Sequence, residues 1–485
     1  MLEPPPPRPS RPAGTGLRAL AGLLGAGGRA PGRLRRDLRA IFADGVSFSV
    51  MVGIGESYLV AFGLAVGLEP IGAALLGSLP MLVGALLQLV APHGVRWLGS
   101  YRRWVVLCAG SQAASFLPLA YGAVRGGLPS WVLFLVAGVY WGTGMGTGPA
   151  WNTWVGRLVP PTVRPLFFAL RTRAAHTATF LGLVAGGLVL QAAAGAGRGL
   201  DAFALLFLLA GAARALSAFF LSRQSEPADL PPRPEPVPVA EFVRRFRHGR
   251  DGRVVAYMLA AQLAIWVAAP FYTPYMLRDL GLSYASFMLL LALGLVGRAV
   301  SLPLLGRWAR RAGVGPLLWL GGIGIGFSSM FWALTESLWL LGAAQVFAGV
   351  VWSAYELATF LLFFDAIEER ERTSFLTLYN LAAAVVIVIG SLVGGALFGW
   401  LGGGSHAYHV LFFASGALRL GVLPLLARIR PAAPRRALPD LQLRPLAVRA
   451  GAGAIERPVL ATLEGPPEIP DPPLEEDGAG TVGAG

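Results

Sequence analysis

The sequence contains no lysine, so all 40 of its basic residues are arginines. Only 14% of its residues are charged and 55% are hydrophobic, whereas roughly a quarter of a typical soluble domain is charged. This shortage of charge excludes a soluble globular protein. A net charge of +14 could suit a nucleic-acid-binding protein. The arginines, however, are scattered between apolar runs and form no single basic surface, so we expect no nucleic-acid partner.

Cysteine and histidine are also scarce. The single cysteine, Cys108, lies inside an apolar run, which excludes a disulfide framework and a thiolate metal site. The five histidines have no metal-ligand spacing with carboxylates, and no activated-nucleophile motif occurs. We therefore expect no metal, no cofactor and no enzymatic activity. A polytopic lipid-modifying enzyme is the weakest of the alternative functions.

Long apolar runs fill most of the chain, and each is close to the ~20 residues that cross a bilayer. They predict an all-α membrane protein with twelve transmembrane helices. The predicted spans are residues 45–66, 70–91, 104–122, 131–153, 174–195, 201–222, 254–275, 283–304, 316–335, 338–364, 374–401 and 407–427. Lipid is therefore an obligatory partner.

The arginines between these spans are distributed unequally. Alternate loops on the N-terminal side of the membrane hold nineteen arginines, whereas the opposite loops hold only Arg125, Arg198 and Arg278. Loops rich in arginine stay in the cytoplasm during membrane insertion. We therefore expect both termini in the cytoplasm.

Hydrophilic segments divide the chain into five parts. Residues 1–44 predict a disordered cytoplasmic N-terminus that ends in an amphipathic helix on the membrane surface. Residues 45–222 and 254–428 predict two bundles of six helices. Between them, residues 223–253 predict a cytoplasmic linker, Pro/Glu-rich and then basic. The Pro/Gly-rich residues 429–485 predict a disordered cytoplasmic tail.

The two predicted bundles are related by an internal repeat. At an offset of 211, "VAGVYWG" at residues 136–142 matches "FAGVVWS" at residues 347–353. At an offset of 205, "FLLAGAARALSAFFLSR" matches "FFASGALRLGVLPLLAR", which pairs Arg214 with Arg419. A duplicated six-helix unit is typical of secondary transporters.

Over roughly residues 33–430, this pattern resembles the major facilitator superfamily. The loop "GRWARRAG" resembles the family's cytoplasmic signature, and "VRWLGSYRR" resembles it more weakly. Arg310 and Gly99 stand where the family carries an acidic residue, so the resemblance implies an altered gate at these loops. The segment "GTGPAWNTWVGRLVPPTVRPLFFALRTR" is similar to a poorly characterised bacterial branch. The resemblance implies two pseudo-symmetric six-helix bundles in a bacterial inner membrane, and it specifies no substrate.

Ionisable residues inside predicted spans are the first functional candidates, because each costs about 2.5–3.5 kcal/mol on insertion scales. Glu56 lies about 17 Å into the first span, near the midplane, where transporters bind solutes and coupling ions. Glu356 lies in the inner half of the tenth span. Loss of water favours the neutral carboxyl, so both glutamates are candidates for proton coupling. A packing glutamate or a gate ion pair is the structural alternative.

Three arginines also fall inside predicted spans. Arg298 suits either an anionic solute or a permanent ion pair with Glu356 or Glu56. Arg214 and Arg419 are related by the repeat. Because packing is inherited by both halves whereas coupling chemistry is usually asymmetric, we expect these two to be structural, with contacts to backbone carbonyls.

Polar and aromatic side chains are candidates for a substrate cavity. In "YWGTGMGTGPAWNTW" of the fourth span, glycines at even spacing precede Pro149, which favours close helix packing and a kink beside a cavity. Ordinary aromatic packing is the alternative. The cavity candidates are Arg298, Tyr140, Trp141, Trp151, Asn152, Gln262, Gln345, Trp352, Tyr355 and Asn380.

The cytoplasmic loops after the fourth and tenth spans carry opposite charge balances, which suggests contacts that close an inner gate. The alternative is solvated charge together with the positive-inside bias. The inner-gate candidates are Arg96, Arg164, Arg307, Arg311, Asp365 and Arg370.

Together these features predict a monomeric secondary active transporter. It would move a small organic solute by alternating access of the two bundles, coupled to protons or another ion. A transport-inactive sensor or assembly factor of the same fold is the main alternative, because the loop signatures of both halves lack their acidic residues.

Overall fold

The computed structural model describes residues 32–160, 164–226, 240–242, 244, 250–366 and 372–427. Within these ranges the chain is almost entirely helical and contains no strand. Residues 1–31, most of the predicted linker and the predicted tail at 429–485 lie outside the described residues.

Twelve long helical segments occur in the described ranges, numbered α1 to α12 below. They are α1 Gly32–Ala65, α2 Pro70–Leu98, α3 Tyr101–Val124, α4 Ser130–Leu158, α5 Arg164–Gly195, α6 Gly199–Ser222, α7 Arg250–Trp266 with its continuation to Asp279, α8 Tyr284–Ala312, α9 Val314–Leu334, α10 Leu338–Ala366, α11 Arg372–Trp400 and α12 Gly404–Ala427.

Eleven of these helices are long and apolar enough to cross a membrane. The exception is α4, whose glycine, threonine and asparagine residues lower its hydropathy. Its 29 residues are nevertheless about 44 Å long at the usual helical rise, enough to cross the hydrocarbon core. The prediction of an all-α, multi-pass membrane protein is confirmed.

Two helices begin earlier than the hydropathy pattern predicts, because their charges are satisfied inside the protein. Residues 32–44 continue directly into α1 and do not form the separate surface helix that we predicted. Asp37 and Asp44 of this segment are buried, and Asp44 forms a salt bridge with Arg171. Arg171 was expected in a loop, but α5 begins at Arg164 and carries it into the interior.

The two halves repeat one packing pattern. In the first half α1 packs on α5, α2 on α4 and α3 on α6. In the second half the equivalent pairs are α7 with α11, α8 with α10 and α9 with α12. The sequence repeat is therefore also a repeat of tertiary structure, and two six-helix bundles are confirmed.

The bundles meet through α5 with α8 and through α2 with α11. Near the arginine-poor ends of the helices, a Cβ atom on Gly187 would lie 2.6 Å from the Cβ atom of Met288, so only glycine permits this approach. At the same end the Ala285 amide donates a hydrogen bond to the Gln191 side chain at 3.1 Å. These contacts hold the halves together on the side that we expect to face outward.

Candidate functional site

The first helix of each half is interrupted at an equivalent place. In α1 a 3-10 turn, Glu56–Tyr58, follows Gly55, and in α7 a 3-10 turn, Ala269–Phe271, includes Pro270. Glycine weakens a helix, and proline lacks the N–H that the helix needs. Breaks in corresponding spans of two repeats are the strongest structural indication of a transporter's binding region. The sequence analysis missed both breaks, although Gly55 and Pro270 signal them.

Glu56 lies in the break of α1 and bonds to α4. The Tyr140 hydroxyl donates a hydrogen bond to a Glu56 carboxylate oxygen at 2.6 Å, and the same hydroxyl lies 3.2 Å from the sulfur of Met51. Tyr140 is buried and Glu56 is half-buried. A carboxyl group held in this way can accept or release a proton without losing its hydrogen-bonding partner.

A cavity of about 830 Å³, including the space at its mouth, lies in the second half of the molecule. Its walls come from α7, α8, α9, α10 and α12. The lining residues are Ile265, Ala269, Tyr272, Met276, Leu291, Gly294, Leu295, Arg298, Ser328, Trp332, Gln345, Ala348, Gly349, Trp352 and Arg419. The predicted residues Arg298, Gln345 and Trp352 therefore meet at one cavity, which also includes the broken segment of α7.

Arg298 and Glu356 form an ion pair beside this cavity. One terminal nitrogen of Arg298 lies 2.8 Å and 2.9 Å from the two carboxylate oxygens of Glu356, and the side chains are 23% and 25% exposed. Close packing of α8 on α10 makes this possible: a Cβ atom on Gly349 would lie 2.3 Å from the Gly294 carbonyl oxygen. Of the two partners that the sequence suggested for Arg298, the structure selects Glu356.

The opposite half contributes a titratable group near this pair. His176 of α5 is exposed and lies within electrostatic range of Arg298. Because α5 packs on α8, the histidine and the arginine face each other from different bundles. The sequence analysis counted His176 among the histidines but assigned it no role.

Arg419 lies on α12 in the cavity wall and is only 4% exposed. Its guanidinium donates to the backbone oxygen of Ile325 at 2.8 Å and to that of Ile265 at 3.4 Å. The Tyr272 hydroxyl lies beside it. It makes no salt bridge with a carboxylate in the described ranges, and its buried Nε has no hydrogen-bond partner there.

The repeat-related Arg214 has a different environment. It donates to the Gln112 side-chain oxygen and to the Ser217 hydroxyl, both at 2.6 Å, and its guanidinium stacks over Phe48. Ser217 in turn donates to Asp44 at 2.6 Å.

Asp44 also forms a salt bridge with Arg171 at 3.4 Å, and the Arg171 guanidinium lies 4.6 Å from the centre of the Trp151 ring. The sequence analysis missed this network, because Asp44 was placed before the first span and Arg171 in a loop.

The remaining cavity candidates do not line the described cavity. Tyr140 and Trp141 pack edge to face, and Trp151 is buried against Arg171. Asn152 is half-buried on α4, and Gln262 accepts a hydrogen bond from Trp266 at 3.1 Å. The other two are Tyr355, buried against Trp352, and Asn380, buried in α11.

The predicted gate residues occupy the arginine-rich ends of the helices. Arg96, Arg307 and Arg311 are exposed. Arg164 instead donates to the carbonyl groups of Gly156 and Val159 at the end of α4. Asp365 lies in the last turn of α10, but its side chain is not among the described ones, and Arg370 lies outside the described residues.

Two six-helix bundles with interrupted first helices and a charged interior cavity are typical of polytopic transporters. The sequence model described as "Major Facilitator Superfamily" matches residues 254–463, which includes the second bundle. The match covers less than half of the chain, and it shows that the second bundle is similar to members of the major facilitator superfamily. No curated protein matches the chain by sequence.

Solved transporter structures share the fold at low sequence identity. The D-xylose-proton symporter is 14% identical with a TM-score of 0.64, covering 84% of this chain and 100% of its own. The nucleoside transporter NupG is 13% identical with a TM-score of 0.59, covering 81% and 99%. A POT family transporter crystallised with a thioalcohol-conjugated peptide is 14% identical with a TM-score of 0.59, covering 81% and 96%. At these identities the likeness supports the fold and leaves the substrate open.

Proposed function

We propose that the protein is a proton-coupled secondary active transporter that moves a small organic solute by alternating access of its two bundles. The observation that carries the proposal is the Arg298–Glu356 ion pair, half-buried at the edge of the cavity. A proton on Glu356 would cancel the charge that holds Arg298, and so would change the electrostatics of the cavity wall in one step.

The pair is only partly exposed, so a change in its ionisation affects the energy of the cavity wall. Breaking an ion pair outside bulk water leaves an uncompensated charge, so neutralising Glu356 and releasing Arg298 are energetically linked. A solute that interacts with Arg298 would compete with Glu356, and proton uptake by Glu356 would favour the solute in that competition. This linkage is the physical basis of coupling in the same direction of transport, or symport.

Glu56 is the second candidate proton site. It lies at the break in α1, where unwound backbone and a carboxyl group meet near the expected membrane midplane. Its bond from Tyr140 ties α1 to α4, so a change in its protonation would alter a contact between helices. We propose that Glu356 couples directly to the cavity and that Glu56 sets the packing of the first bundle.

We further propose that the protein lies in the bacterial inner membrane as a monomer with both termini in the cytoplasm. The exposed Arg96, Arg307 and Arg311 at one end of the helices support this orientation. The Gly187–Met288 and Gln191–Ala285 contacts between the bundles lie at the opposite end, which favours an inward-open arrangement.

The test uses the full chain in proteoliposomes loaded with a pH-sensitive dye. Pentoses, nucleosides, short peptides and organic anions are applied outside, first without and then with an imposed proton gradient. We expect at least one solute to move protons, and Glu356→Gln to abolish gradient-driven accumulation while solute exchange continues. Glu69→Gln, which alters an exposed glutamate, is the matched control and should behave like the wild type. Flux that ignores the gradient would overturn proton coupling, and no flux with any solute class would count against transport.

A further inference from the structure

Arg419 is a buried cation whose environment leaves part of its hydrogen-bonding capacity unused. It is 4% exposed, it lines the cavity, and two of its contacts are to neutral backbone carbonyls. Carbonyl groups accept hydrogen bonds but do not neutralise a charge. The buried Nε faces no acceptor among the described residues. A buried charge without a counter-charge is costly and therefore calls for an explanation.

The arginine at the same position in the first half has different partners. Arg214 and Arg419 are each the sixteenth residue of their helices, α6 and α12. The side-chain partners that serve Arg214 directly are Gln112 and Ser217, and Ser217 connects it to the carboxylate of Asp44.

Each of these three partners is replaced by a different residue at the equivalent position of the second half. Gln112 is the twelfth residue of α3, and the twelfth residue of α9 is Ile325. Ser217 lies three residues after Arg214, and Val422 lies three residues after Arg419. Asp44 precedes the break of α1 by twelve residues, and Tyr257 precedes the break of α7 by the same number. None of these three positions in the second half holds a carboxylate. The carbonyl contacts that we predicted are present at Arg419, but they do not supply a counter-charge.

The cavity consequently carries one excess positive charge among the residues described. Arg298 and Arg419 both line it, and Glu356 compensates only Arg298. We propose that Arg419 binds the negatively charged group of the transported solute, so that the substrate is a small organic anion. This inference rests on the proposed transport function and names the class of solute for that site.

The surroundings of Arg419 suit an anion with an apolar or polar organic body. Arginine binds carboxylate, sulfonate and phosphate oxygens through directed hydrogen bonds. The Tyr272 side chain and the amide of Gln345 line the same cavity and can hydrogen-bond to oxygens of the solute. Trp332 and Trp352 supply flat apolar surfaces on its walls.

The first experiment needs no knowledge of the solute. Iodide, an anionic quencher, and acrylamide, a neutral one, are titrated into the purified full-length protein. The contribution of the cavity is isolated as the part of the fluorescence lost in Trp352→Phe. We expect Arg419→Gln to lower iodide quenching of this component about two-fold or more, because it removes the local positive charge, and to leave acrylamide quenching unchanged. Equal iodide quenching in wild type and variant would overturn the anion site.

The second experiment measures transport of any solute found to be moved in proteoliposomes. We expect that solute to be anionic at neutral pH, and Arg419→Gln to raise its KM by roughly ten-fold. Arg125→Gln, at an exposed arginine of an arginine-poor loop, is the control and should leave KM unchanged.

A second pair of variants removes the concern that losing Arg419 disrupts folding. Val422→Asp places a carboxylate three residues from Arg419 on the same helix, where it can compete with the solute. Val422→Asn is the control, because asparagine has the same shape as aspartate but no charge. We expect a higher KM in the Asp variant alone. Transport of a neutral solute with a KM insensitive to Arg419→Gln would refute the anion site and leave the proposed transport function standing. Absence of flux would count against the transport function, and the iodide result would still judge the anion site.

Discussion

Removing the Asp44 carboxylate should be among the most destabilising polar substitutions in the protein. Asp44 is fully buried and is held by the Arg171 guanidinium at 3.4 Å and the Ser217 hydroxyl at 2.6 Å. Asp44→Asn keeps the shape and one hydrogen bond but leaves buried arginine charge uncompensated. Breaking a buried ion pair by removing one partner costs about 3–5 kcal/mol. We expect a loss in this range in the free energy of unfolding.

The matched control is the exposed pair formed by Arg198 and Asp201. Its atoms are closer, at 2.8 Å, but the side chains are 73% and 56% exposed. Water screens such pairs, so Asp201→Asn should cost no more than about 1 kcal/mol. The assay is unfolding of purified protein from mixed micelles with increasing dodecyl sulfate, followed by tryptophan fluorescence. Adding Arg171→Gln to Asp44→Asn should recover part of the loss, because it also removes one stranded charge. If the Asp44 and Asp201 variants lose equal stability, burial does not decide the strength of these pairs.

Two further predictions concern the contact between the bundles and the orientation of the chain. Gly187→Leu places a side chain where even a Cβ atom would lie 2.6 Å from Met288. The distance between spin labels in the arginine-poor loops of the two bundles should therefore increase. Gly148→Leu is the control, because no atom lies within 4 Å of the Cβ position of this glycine, and it should leave the distance unchanged. In a cysteine-free background, a membrane-impermeant maleimide applied to intact spheroplasts should label cysteine at position 198 and not at position 307; the reverse pattern would invert the orientation.

The membrane spans could be predicted from the sequence because hydrophobic length is a local property. Helices of about 20 apolar residues are required wherever the backbone crosses lipid, whatever their neighbours. The pairing of Arg298 with Glu356 was one of two alternatives that the sequence left open, because both residues lie in the inner halves of their spans. Choosing between Glu356 and Glu56 required knowing that α8 packs on α10, which is a tertiary fact.

The boundaries of α1 and α5 were harder to predict for the same reason. Asp44 and Arg171 are charged, and a charged residue read alone marks the end of a span. Each becomes acceptable inside the protein only because the other lies opposite it, 127 positions along the chain. Hydropathy sums residues along one helix and cannot register a partner on another. A prediction from hydropathy therefore ends a helix too early wherever a buried ion pair lies inside the protein.

Under the anion-site proposal, Arg214 and Arg419 have different roles although the sequence repeat aligns them. Aligning the halves matches one arginine with the other, and from that equality the sequence predicts equal roles. Whether the charge of a buried arginine is compensated depends, however, on side chains from other helices and from the next turn of its own helix. At Arg214 these are Gln112, Ser217 and Asp44, and at Arg419 the equivalent places hold residues that cannot supply a counter-charge. The sequence repeat therefore identifies the two positions as equivalent, and the side chains around each arginine decide what it can bind.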